Sequence, residues 1–196
     1  MIAGVRHARV WNPDGVVYAS LPGFHLAEGG RAEAEALSRT LATSPVRAVY
    51  ASPLDRAQET AEILARPHGL GVRTESRLVE WSFWSNWQGM PWDRIRERDA
   101  ERLDAYARDP TAACPEDPLA AVGERILAWA AEADREHPDG LVLGVSHEAP
   151  MLAALLVGSG RGAAGFHSTN LPHLGTVRLV PRPIEVVDLI AWAATR

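Results

Sequence analysis

Three short apolar runs in this chain each end on side chains suited to gripping a phosphate. Ile2 to Val5 leads into Arg6-His7, Val46 to Ala51 into Ser52-Pro53-Leu54-Asp55-Arg56, and Leu141 to Val145 into Ser146-His147. Short apolar runs bounded by polar residues read as buried strands. In open α/β sheets, ligands collect at the carboxyl ends of the strands. One such run would carry little weight, but three with matching chemistry predict a shared site.

The segments between these runs have helical spacing. Ala34, Leu37 and Leu41 share one helical face after Gly29-Gly30. Ser52 suits an N-cap and Pro53 the first helical position, which predicts a helix to about Ala65. Arg94 to Arg108 reads as a charged, solvated helix, in which Glu97 and Glu101 can pair with Arg94, Arg98 or Arg102. Leu119, Val122, Ile126, Trp129 and Ala133 mark an amphipathic helix, and Pro150 to Val157 another helix. Val72 to Val79 reads as a strand. Val177 to Val180 and Ile184 to Ile190 read as a closing hairpin through Pro181 and Pro183. Gly158 to Gly165 reads as a mobile glycine-rich loop. Alternating strands and helices predict a three-layer α/β/α sandwich around a mostly parallel central sheet. The whole chain, 1–196, reads as a single catalytic domain with a lid or insert around 81–118.

Composition removes several alternatives. A net charge of −5 argues against a nucleic-acid or anionic-membrane binder. All 20 basic residues are arginine, which points to a GC-rich, bacterial coding bias and rules out lysine-based chemistry. Cys114 is the one cysteine, so neither an internal disulfide nor a cysteine metal site is expected. There is no apolar run of membrane-spanning length and no signal-peptide pattern, so a cytoplasmic location is expected. The oligomeric state stays open, a homodimer included.

The three strand ends define a chemistry. A neutral imidazole can attack phosphorus and form a phosphohistidine. Guanidiniums grip phosphoryl oxygens through forked hydrogen bonds. A second histidine adds a donor for transition-state charge. No step needs a metal or other cofactor. The remaining part is an acid for the leaving oxygen, and Glu80, closing Arg77-Leu78-Val79-Glu80, is the best-placed carboxyl.

These residues resemble the histidine phosphatase superfamily, also called phosphoglycerate mutase-like. Val5-Arg6-His7-Ala8 is similar to its Arg-His signature, and Ser52-Pro53-Leu54-Asp55-Arg56-Ala57-Gln58-Glu59-Thr60-Ala61 to its second signature. Leu78-Val79-Glu80, Trp87-Gln88-Gly89 and Ser146-His147 complete the resemblance, which runs over about residues 1–180. It implies His7 as the nucleophile, Arg6, Arg56 and His147 as phosphate ligands, and Glu80 as acid and then base. It also implies Asn12 as a further phosphate contact, although Asn12 equally suits a turn over Asn12-Pro13-Asp14-Gly15.

The chain departs from the family pattern in two places. Ala8-Arg9-Val10 replaces Gly-Glu-Thr and puts an extra cation near the site. Glu148 replaces the usual glycine after the distal histidine, where it can raise the pKa of His147, repel substrate or face solvent. Trp81 to Trp92 carries no basic residue but holds Trp81, Phe83, Trp84, Trp87 and Trp92, which reads as half core and half pocket wall. His25, His167 and His173 read as loop residues, His25 near the pocket mouth. The expectation is a metal-independent phosphomonoesterase acting on a small phosphorylated metabolite with a bulky or apolar leaving group. The alternatives are a catalytically weak phosphoester-binding or regulatory domain of the same fold, and a mutase-type phosphotransferase.

Overall fold

The apolar runs pair as the sequence predicts. In the computed structural model, which describes residues 1–161 and 164–195, strand β1 (Ile2–Arg6) lies beside β4 (Leu141–Ser146). Strand β2 (Val46–Ala51) flanks β4 on its other side, and β3 (Val72–Thr74) follows β2. Strands β5 (Thr176–Val180) and β6 (Glu185–Val187) extend the far side. The sheet order is β3-β2-β4-β1-β5-β6, parallel as far as β1 and antiparallel from β1 to β6.

Alternation along the strands sorts the core onto two faces. Ala3, Val5, Leu143 and Val145 point towards α1 (Glu28–Leu41) and α2 (Asp55–Ala65), which bring Leu37, Leu41, Ala61 and Leu64. Ile2, Tyr50 and Val142 point towards α4 (Leu119–Glu136) and α5 (Glu148–Ser159), which bring Ile126, Trp129 and Met151. The remaining helices are α3 (Ile95–Arg108), α6 (Ala164–Ser168) and α7 (Leu189–Ala194), and α7 adds Leu189 to the first face. Among the described residues no helix is long and apolar enough to cross a membrane.

Two glycines on the second face set the layer spacing. A Cβ on Gly144 would lie 2.1 Å from the Trp129 ring, and one on Gly4 would lie 2.2 Å from the Met151 sulfur. Their missing side chains let Trp129 and Met151 lie directly on the strands.

Several boundaries differ from the sequence expectation. The α2 helix begins at Asp55, with Leu54 rather than Ser52 at its N-cap, because the Ser52 hydroxyl is engaged with His147. The predicted strand 72–79 stops at Thr74. There the Glu75 carboxylate accepts from the Arg77 N–H and guanidinium and starts a 3-10 turn over Ser76–Leu78. The predicted strand 184–190 ends at Val187, since Asp188 caps α7 through the N–H groups of Ile190 and Ala191. The predicted loop 158–165 is partly helical: Gly158 and Ser159 finish α5, and Gly160 closes it in the left-handed region. Gly162 and Ala163 lie outside the described residues. The α3 helix kinks at Asp99, whose carboxylate accepts from the Trp87 indole and from the Arg102 N–H.

Gly144→Ala is expected to lower the unfolding free energy by roughly 1–3 kcal/mol, the usual cost of overpacking, read from the urea midpoint. Combining it with Trp129→Leu, which vacates the clash, should recover part of that loss.

Candidate active site

The parallel register places three strand ends side by side. Arg6 pairs with Ser146 and Ala51 with Val145. The ladder continues past the strands: the His7 N–H donates to Ser146 O at 2.9 Å and the Ser52 N–H to Val145 O at 2.9 Å. His7, Ser52 and His147 therefore leave the sheet together. The ring centroids of His7 and His147 are 5.2 Å apart.

The second signature has a physical reason for its spacing. Arg56 and Thr60 stand one turn apart on α2 and face β1. The Thr60 hydroxyl donates to Arg56 O at 2.7 Å and accepts from the Ala8 N–H at 3.1 Å. This ties α2 to the residue after His7. The Arg56 guanidinium donates through Nε to His7 Nε2 at 3.2 Å and through an NH2 group to Ala19 O at 2.6 Å, and it lies 4.7 Å over the Tyr18 ring. Arg56 is 1% exposed, and among the described residues no carboxylate is in ion-pair contact with it. A buried cation without a counter-ion is costly, so an anion beside Arg56 is strongly favoured.

The histidines are prepared for nucleophilic work. His7 Nδ1 donates to Ala8 O at 2.8 Å, so the lone pair sits on Nε2, which faces Arg56. Burial first, then Arg56, holds the His7 pKa well below the usual histidine value. His147 is lowered in the same way by burial and Arg56. Its Nε2 meets Ser52 Oγ at 2.8 Å, and the Ser52 oxygen also accepts from the Leu54 N–H at 3.4 Å. His147 Nδ1 is a buried ring nitrogen without a hydrogen-bond partner among the described residues. Arg6 Nε is likewise buried without one.

Glu80 is set by a clamp that the sequence reading did not find. Arg125 on α4 donates to Arg77 O and, at 2.7 Å, to Val79 O, while Ser146 Oγ donates to Leu78 O at 2.7 Å. Three consecutive carbonyls are held, and the next side chain is Glu80. Its carboxylate lies 3.9 Å from His147 Nδ1. Burial raises its pKa, against the pull of Arg56 and of the Trp81 N–H, which donates to its Oε1 at 2.9 Å. A neutral imidazole and a carboxyl that holds its proton more tightly than usual, facing one cavity, suit phosphoryl transfer to histidine and release of an alcohol.

That cavity has a volume of about 370 Å³ and is lined by Arg6, His7, Tyr18, Glu80 and Glu148 at its polar end. The Trp segment divides as expected. Trp81, Phe83 and Trp87 are core, whereas Trp84 and Trp92 line the cavity. Tyr106, Phe166 and His167 complete the apolar wall.

Other expectations need correction. Asn12 is not brought to the cavity: its amide donates to Val16 O at 2.8 Å and accepts from the Val16 N–H at 3.1 Å, closing a turn. Arg9 is not a cation beside the site but pairs with Glu33 at 2.6 Å on the surface. Glu148 neither raises the pKa of His147 nor faces only solvent; it lies 3.0 Å from an Arg6 NH1 group. His25 pairs with Glu59 at the surface. His25 and His173 lie in loops as predicted, whereas His167 falls in α6; His173 is nonetheless 5.5 Å from the His7 ring, with Nδ1 donating to His7 O at 3.0 Å. Tyr18 was also missed, since nothing local marks an isolated loop tyrosine as the platform for Arg56. Among the described residues no cluster of three or more His, Cys, Asp or Glu side chains is placed to share a metal ion.

The family model of the histidine phosphatase superfamily, branch 1, matches residues 2–187. The chain belongs to the histidine phosphatase superfamily. Phosphoserine phosphatase 1 of Hydrogenobacter thermophilus is 32% identical over 152 residues, covering 76% of this chain and 71% of the relative. An uncharacterized protein of Mycobacterium tuberculosis is 51% identical over 76 residues, which are 39% of this chain and only 38% of that relative's own length. The fold matches Bacillus stearothermophilus YhfR with a TM-score of 0.82 at 22% identity, covering 94% of both chains. The chain therefore shares its family with a phosphoserine phosphatase.

The depressed histidine pKa values carry a testable sign. An unfolded histidine binds its proton near pH 6.5, whereas His7 and His147 do so only at lower pH. Their contribution to stability is complete above the unfolded value and is lost as pH falls below it. Ring ¹⁵N shifts should show both histidines still neutral at about pH 6, half a unit below the unfolded value; a protonated His7 there would contradict the geometry.

Proposed function

We propose that this histidine phosphatase is a metal-independent phosphomonoesterase that works through a phosphohistidine. The observation that carries this reading is the His7 imidazole, tautomer-locked by Ala8 O, with its Nε2 lone pair against a buried Arg56. In the proposed sequence His7 Nε2 attacks phosphorus as the ester P–O bond breaks. Arg6, Arg56 and His147 hold the phosphoryl oxygens. Glu80 gives its proton to the leaving oxygen, then removes one from the water that attacks the phosphohistidine. His7 leaves as the neutral base it was at the start.

The substrate we propose is a small phosphomonoester with a bulky, partly apolar leaving group. Trp84, Trp92, Tyr106 and Phe166 offer such a group a wall, and among the described residues the basic side chains of the lining are Arg6 and the imidazoles of His7 and His167. A mutase acting on 3-phosphoglycerate needs a second permanent cation for the substrate carboxylate, whereas this wall offers only the His167 imidazole. The silent binding-domain reading loses one of its motives, because Arg9 is spent on Glu33 at the surface.

An aromatic phosphomonoester such as p-nitrophenyl phosphate is expected to be hydrolysed equally with and without chelator, and His7→Ala should lower kcat at least about a thousandfold, as loss of a covalent nucleophile does. Activity that disappears with chelator, or survives His7→Ala, overturns the mechanism. Glu80→Gln should slow alkyl phosphates roughly 100-fold more than p-nitrophenyl phosphate, because only a poor leaving group needs the proton. The alkaline limb of the kcat/KM profile for alkyl esters should disappear with it, since that limb reports loss of the Glu80 proton. Equal losses for both esters would assign the proton to another group.

A further inference from the structure

Charge inside the cavity is unevenly spent. Two guanidiniums, Arg6 and Arg56, stand at the phosphate end, and His7 and His147 are neutral there. Arg6 is not fully available. One of its NH1 contacts goes to Leu171 O at 2.6 Å and another to Glu148 at 3.0 Å. The Glu148 side chain is 38% exposed and lines the same cavity. A bound phosphate dianion matches the two guanidiniums by itself, which leaves the Glu148 carboxylate of the same cavity in excess. A carboxylate on the leaving group would add to that negative charge, whereas an ammonium group would offset it.

The wall around the leaving group feels this imbalance. The Tyr106 phenol is pushed up to about 12, first by burial and then by Glu148 and Glu80. The negative field of Glu148 thus reaches the aromatic end of the cavity. That end is a partial cage: Trp84 meets Trp92 at 5.3 Å and Tyr106 at 5.4 Å between ring centroids, and Tyr106 meets His167 at 4.9 Å. Aromatic faces beside a carboxylate form a recognised receptor for organic ammonium groups.

We propose that Glu148 is the specificity-determining residue of this pocket, selecting phosphomonoesters whose leaving alcohol carries an ammonium group and no carboxylate. The inference rests on the phosphatase reading above and names the substrate class of that same site. Glu148 acts by charge on the leaving group, not on the phosphoryl group that all substrates share. Loss of Glu148 therefore changes the ranking of substrates, whereas a disturbed Arg6 lowers all of them alike.

Three probes decide it: phosphocholine, p-nitrophenyl phosphate and 3-phosphoglycerate, compared by kcat/KM in wild type, Glu148→Gln and Glu148→Asp. Wild type is expected to favour phosphocholine over 3-phosphoglycerate. Glu148→Gln should shift that ratio about tenfold towards 3-phosphoglycerate, the scale of one charge acting across a pocket of intermediate dielectric, and Glu148→Asp should restore it. A ratio unchanged in Glu148→Gln, or a wild-type preference for 3-phosphoglycerate, overturns the proposal while leaving the phosphatase reading standing. If p-nitrophenyl phosphate is not hydrolysed at all, the phosphatase reading fails separately. Calorimetric Kd values for phosphocholine and 3-phosphoglycerate in His7→Ala, with and without Glu148→Gln, then read the same ratio without turnover.

Discussion

Everything in this site depends on the register of the parallel pairs. Opposing Arg6 to Ser146 and Ala51 to Val145 brings residues far apart in the chain to one height at one sheet edge. A one-residue slip in either pair would turn the side chains to the other face and separate them. The register is pinned by shape as well as by hydrogen bonds. Gly4 and Gly144 lie side by side in the ladder, and Trp129 and Met151 fill the trough they leave. Ordinary core packing therefore aligns the sheet edge that carries the candidate site some residues away.

The price of that alignment is a buried charge. Arg56 has a carbonyl, an imidazole and a phenol ring for company, but no carboxylate in contact. Ala19, which supplies the carbonyl, adopts φ 32°, a left-handed conformation that costs a non-glycine residue of order 1 kcal/mol. Backbone strain at Ala19 and an uncompensated guanidinium on α2 meet at one corner, which Thr60 ties to the residue after His7. The fold holds this corner in a state suited to an anion before one arrives.

The strand ends and the second signature could be read from the sequence because both are local: an apolar run with a polar terminus, and an arginine four residues before a threonine. What could not be read depends on partners distant in the chain. Ser52 has the sequence of a cap, yet its hydroxyl goes to His147, and α2 starts later as a result. Arg9, two residues after His7, suggests a cation at the site, but the loop beyond the strand end carries it outward, and Glu33 on α1 receives it. Asn12 fits either a phosphate contact or a turn, and its own neighbour Val16 satisfies it first. Glu148 offered several readings, and only the position of Arg6 across the strand end selects among them. Arg125 sits within an amphipathic pattern that marks apolar positions and says nothing of a half-buried guanidinium reaching two backbone carbonyls, those of Arg77 and Val79.

The clamp from Arg125 and Ser146 grips the backbone immediately upstream of Glu80. The backbone leading into Glu80 is therefore anchored by α4 and β4, while the Trp81 N–H, donating to the Glu80 carboxylate at 2.9 Å, orients its tip. Beyond that first N–H, the stretch to Pro118 has ties of its own, such as the Trp81 indole to Asp117 O at 2.8 Å. A chain built this way can lengthen, shorten or resurface the stretch beyond Trp81 while the backbone that carries Glu80 stays clamped. The aromatic wall of the cavity and the carboxyl that faces it are thereby assigned to separately held pieces of backbone.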